Sequence, residues 1–156
     1  MERLRLSVFA ACMLGAMLGC GRSDDGTMRA SSTDVEKLSA TITLPVRPIS
    51  ARWQIIELSR GDGLGPGDWA LIAYLVCDAA GMKKVLASAV RTTGDAPDVS
   101  IMKAVDAPMR AALERMHLDA SSVTFDARAF YRSPLMHGVI ITKPGQSGFF
   151  MYLYTM

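Results

Sequence analysis

The chain is short of the residues from which most metal and catalytic centres are built. It holds three cysteines and two histidines, His117 and His137, in 156 residues. Beyond position 20 only Cys77 remains. A zinc site takes three or four such ligands, so no metal is expected. A lone thiol also excludes an internal disulfide there, and any domain must be held by its apolar core. No Gly-x-Ser-x-Gly segment occurs: neither Gly145-Gln146-Ser147-Gly148 nor the surroundings of Ser133 offers a strand-to-helix elbow for a nucleophile. A phosphate loop ends in Lys-Ser/Thr and opens a helix. The glycine-rich stretch Arg60–Asp68 instead carries Pro66 and runs into an alternating apolar pattern. Asp62 and Asp68 alone are too few oxygen ligands for calcium. The formal charge of +2 comes without a clustered basic face, which excludes a nucleic-acid binder. No cofactor is expected, and these absences argue against an enzyme.

What is present begins at the N-terminus. Met1–Arg5 carries Arg3 and Arg5, Leu6–Leu18 is uncharged and mostly apolar, and small residues lead to Gly19-Cys20. That is the plan of a cleaved export signal. The apolar run of 13 residues falls short of the roughly 20 needed to span a bilayer. Met17-Leu18-Gly19-Cys20 resembles the lipobox of bacterial lipoproteins, with Gly19 as the small residue before the cysteine and Met17 where Leu is usual. The resemblance covers the first 20 residues only. It implies that residues 1–19 are removed and that Cys20 is lipidated with two acyl chains, or three after N-acylation. Either number exceeds what stable membrane anchoring requires. Gly21, rather than Asp, follows the cysteine. Under the family's sorting habit this places the protein in the outer membrane, facing the periplasm. The mature chain would carry a formal charge of +1, since Arg3, Arg5 and Glu2 leave with the signal.

Residues 20–38 are rich in Ser, Thr, Asp and Gly and read as a flexible tether. Residues 39–156 are enough for one domain. Alternation predicts strands at Thr41–Val46, Arg52–Leu58 and Trp69–Cys77, the last apolar on both sides and therefore central. The period then turns helical. Met82, Val85, Leu86, Ala89 and Val90 form one stripe, with Asp78 as N-cap and Gly94 after the end. A second helix, Ala107–His117, has Asp106 as N-cap, Pro108 in its first turn and Met109, Ala112, Leu113 and Met116 as its stripe. Val99–Val105 reads as a short strand or packed loop. Val123–Tyr131 alternates again, and Gly138–Thr142 and Phe149–Thr155 flank a Pro-Gly turn as a hairpin. The expected fold is α+β, a mostly antiparallel sheet with two helices packed on one face.

Candidate surfaces follow from this layout. Arg60, Asp62 and Leu64 lie in the glycine-rich loop, a place where recognition residues often sit, and Trp69 follows it. Asp126, Arg128 and Arg132 form a polar edge near Tyr131, and His137 sits just before Gly138, in a turn. On the last strand Phe150, Tyr152 and Tyr154 point away from Phe149, Met151 and Leu153. If helices cover only one face, these aromatics stay open, a larger apolar area than a monomer usually exposes. The leading expectation is a membrane-tethered, non-enzymatic module binding an envelope protein, of immunity or assembly-accessory type. Two alternatives are a small envelope hydrolase using scattered Ser, His and Asp residues, and a lipid or small apolar-ligand binder with Met82, Met109 and Met116 lining one cavity.

Overall fold

The strongest alternation in the chain becomes the frame of the sheet. A computed structural model describes residues 30–58, 67–93, 97 and 100–155. Strands β1 (Ser50–Glu57), β2 (Trp69–Val76), β3 (Val123–Asp126), β4 (His137–Thr142) and β5 (Gly148–Tyr154) form one sheet in the order β1-β2-β5-β4-β3. All four pairings are antiparallel. The C-terminal strand is thus the middle one. The β4–β5 hairpin forms as its Pro-Gly turn predicts: Gln146 N–H donates to the Lys143 carbonyl at 3.2 Å, and Gly145 takes φ +81°, the positive value a type II turn requires.

Among the described residues four α-helices accompany the sheet: α1 (Val35–Thr41), α2 (Ala79–Ala87), α3 (Ser100–Ala104) and α4 (Ala107–Glu114). Two start where capping chemistry puts them. The Asp78 carboxylate accepts from Gly81 N–H at 2.6 Å, and that of Asp106 from Met109 N–H at 2.8 Å. The ambiguous stretch before α4 is the short helix α3. The strand expected over Val123–Tyr131 stops at Asp126, and Arg128–Phe130 turns as a 3-10 helix that buries Phe130.

The α+β class and the antiparallel sheet are as expected, but the helices lie on both faces. Leu71, Ala73 and Leu75 of β2, with Phe149, Met151 and Leu153 of β5, pack with Leu38 and Ile42, with Met82 and Val85 of α2, and with Phe130 and Leu135. Ala70 and Ile72, with Phe150, Val139 and Ile141, pack instead with Ile101 of α3, with Met109 and Leu113 of α4, and with Met116. The reason lies in β2 and β5. Both strands are apolar on both sides, and one helical layer can dry only one of them.

The N-terminal part of the domain also differs. The tether expected over 20–38 is docked from Ser31 onward, and Thr41–Val46 is not a strand. Val35, Leu38 and Ile42 share a helical spacing, Asp34 caps the helix by accepting from Lys37 N–H at 3.0 Å, and Leu38 and Ile42 are fully buried. Pro45 and Pro48 disfavour a strand in the segment that follows. Ser32 pairs with Trp53 on the outer edge of β1, so this segment wraps that edge from one face of the sheet to the other.

Candidate partner-binding surface

The register of the central hairpin creates an aromatic row. His137 of β4 stands directly across from Tyr154 of β5, and Val139 across from Tyr152. Residues two apart on a strand share a face. His137, Tyr154 and Tyr152 therefore project on the side covered by α3 and α4. Their rings stack in sequence, His137 on Tyr154 at 5.6 Å and Tyr154 on Tyr152 at 5.3 Å between centroids. All three are half-buried. Gly138, between the two β4 residues, allows the close approach: a Cβ there would lie 2.1 Å from the Tyr152 carbonyl oxygen, and φ is +148°. Tyr131 reaches the same end of the sheet, its hydroxyl donating to the Gly138 carbonyl at 3.2 Å. Burial raises the Tyr131 phenol above its ordinary pKa, helped by the Asp126 carboxylate. Burial and then Tyr154 raise Tyr152 likewise. These phenols stay protonated donors at neutral pH. Each ring thus offers an apolar body with a polar tip, the kind of residue favoured at interfaces.

The other expected surface residues do not join this row. Arg60, Asp62 and Leu64 lie outside the described residues. Trp69 opens β2 and packs against the core on the opposite face. Phe150 is a correction: it is 2% exposed because α3 and α4 cover its face, so it cannot reach a partner. Arg132 is exposed but tied to the N-terminal helix. Its Nη1 donates to the carbonyls of Ser39 and Ala40, at 2.8 and 2.9 Å, in the last turn of α1. A cation there meets carbonyls that the helix leaves unpaired. Of the expected polar edge, Asp126 and Arg128 pair locally at 3.1 Å.

A groove of about 480 Å³ opens on the first face between α2, β3 and the β4–β5 turn, with Met82, Leu86, Val123, Phe125 and Pro144 among its walls. Met109 and Met116 lie in the opposite core, so the three methionines expected to line one cavity do not meet. Cys77 is buried, and burial, then Asp78, pushes its thiol pKa up, away from a nucleophilic thiolate. His117 sits exposed just after α4 at φ +45°. Among the described residues, no group of three His, Cys, Asp or Glu side chains could hold a metal, and no helix is long and apolar enough to cross a membrane.

No protein-family model, curated protein or solved structure matches the chain.

Proposed function

We propose that the chain is an envelope lipoprotein, anchored through acyl chains on Cys20 and retained at the outer membrane, whose domain binds a protein partner without catalysing a reaction. An immunity or assembly-accessory role fits that description. The stacked row of His137, Tyr154 and Tyr152 carries the reading. It is rigid because it stands on two paired strands at the middle of the sheet, and it is left half-open by the helices that bury Phe150 beside it. Aromatic anchors on a fixed backbone lose little conformational entropy on binding.

Affinity purification of the full chain from its own envelope tests this. A stoichiometric partner should be recovered, and His137→Ala with Tyr154→Ala should lower recovery by about 30-fold or more, the loss of a hot-spot pair. Recovery unchanged in a variant that still melts cooperatively would refute the surface. Cys20→Ser should abolish acyl labelling of the chain, and persistent labelling would refute the anchor.

The 480 Å³ groove favours a second reading, a binder of small apolar molecules or lipid. It predicts a ligand that co-purifies with the chain in native mass spectrometry and is displaced by Met82→Trp.

A further inference from the structure

Two arginines far apart in sequence meet at one concavity on the second face, away from the aromatic row. The pocket, about 300 Å³, lies between the start of β1, the end of β2 and α4, and is lined by Thr33, Ser50, Arg52, Tyr74 and Arg115 among others. Val76 and Ala112 add apolar side chains to its lining. Arg52 spends one donor inside the protein, Nη1 to the Ser31 hydroxyl at 3.1 Å, and Arg115 spends one, Nε to the Ala111 carbonyl at 3.1 Å. A guanidinium has five N–H donors, so most remain. Among the described residues neither arginine forms an ion pair. The nearby acid is Asp106, whose two oxygens are already engaged by the N–H groups of Ser31 and Met109. Its charge reaches Arg52 but offers it no bond.

We propose that this pocket binds a phosphate-bearing group. Two guanidiniums supply the charge and a fork of donors suited to phosphate oxygens. The hydroxyls of Thr33 and Ser50 supply neutral donors beside them, and the Tyr74 ring forms a wall. Tyr74 is held in place because its ring lies against Gly148, where a Cβ would come within 2.5 Å of the hydroxyl. The polar side chains fix the anion, and the apolar part of the lining accommodates a short organic substituent. The site is independent of the partner surface, since it shares no residue with it.

Calorimetric titration of the full chain tests the site, with glycerol 3-phosphate as the free phosphate ester and dihexanoyl phosphatidylglycerol, below its micelle concentration, as the lipid headgroup. Saturable binding of the first alone assigns a soluble phosphate ester. Binding of the second alone, or of both, assigns a headgroup site. In either case Arg115→Gln should weaken binding by about tenfold or more, the loss of a charged hydrogen-bonding pair. Arg115 is exposed on the end of α4, so its replacement should leave thermal unfolding unchanged. Binding of neither probe, or binding unaffected by Arg115→Gln, overturns the proposal.

Discussion

The two faces of the sheet are closed to different degrees, and the difference separates what holds the protein together from what it can offer. On the first face the six inward residues of β2 and β5, Leu71, Ala73, Leu75, Phe149, Met151 and Leu153, are at most 1% exposed. On the second, Ala70, Ile72 and Phe150 are buried under α3 and α4, but Tyr74 and Val76 at one end and Tyr152 and Tyr154 at the other remain half-open. In the cross-strand pairs Ala70–Tyr154, Ile72–Tyr152 and Phe150–Tyr74, the first member is buried and the second half-open. One margin carries Tyr152 and Tyr154 and the other Tyr74 beside Val76, and both have a convergent partner group: His137 at one, Arg52 and Arg115 at the other. The tightest packing is on the first face, and the proposed recognition surfaces lie at the margins of the second.

The largest test of that contrast is Phe149→Ala. Its ring is 1% exposed and meets that of Phe130 at 5.6 Å. Its loss should cost about 3–5 kcal/mol in denaturant unfolding. Tyr154→Ala at the margin should cost clearly less in the same measurement, and equal costs would erase the distinction between faces. Asp106→Ala comes next. Burial acts to raise this carboxyl's pKa, but the N–H groups of Ser31 and Met109 and the charge of Arg52 outweigh it and hold the pKa low. The side chain caps α4 and also ties the N-terminal segment to that helix. Removing it should cost about 1–2 kcal/mol and speed hydrogen exchange at Ser31 and Met109. Gly148→Ala is milder than its 2.5 Å contact implies, because the opposing atoms belong to the end of the Tyr74 side chain. A loss of about 1–3 kcal/mol is expected as the ring shifts, together with weaker phosphate-ester binding.

The smallest effect concerns pH. The Lys143 ammonium, with Ser121, holds Asp119 far below the usual carboxylate range. A carboxyl lowered in the folded state contributes stability in full above its unfolded pKa of about 3.9. It loses that contribution as pH falls through the folded value. Acidification from pH 5 should therefore destabilise the wild type slightly more than Lys143→Met. Because Asp119 is exposed, the difference is small and shrinks with salt. Identical acid curves for the two proteins would remove the pair from the ledger of stabilising contacts.

Local chemistry was legible in the sequence, while long-range assignment was not. The double apolar alternation of β2, the Pro144-Gly145 turn and the caps Asp78 and Asp106 each act within a few residues, and each element formed. Helix α1 was obscured because its stripe of Val35, Leu38 and Ile42 begins inside a polar stretch, while Thr41–Val46 alternates by chance. The double apolar pattern of β2 and β5 already carried the demand for cover on both faces. Which helix covers which face depended on packing that no single segment displays. That choice decided the aromatics: it buried Phe150 and left Tyr152 and Tyr154 at the margin. Stacking of His137 on Tyr154 required the β4–β5 register. The meeting of Arg52 and Arg115 had no signal at all in the linear chain, since it arises only when α4 packs over β1 and β2.

Site-directed photocrosslinking in cells producing the full chain tests the recognition margin most directly. A photoreactive residue placed at Met136, 48% exposed and adjacent to His137, is compared with one at Ala87, exposed on α2 of the closed face. We expect a discrete protein adduct from position 136, lost on His137→Ala with Tyr154→Ala, and none from position 87. No adduct at 136, or the same adduct from both positions, would contradict a partner-binding margin on the second face.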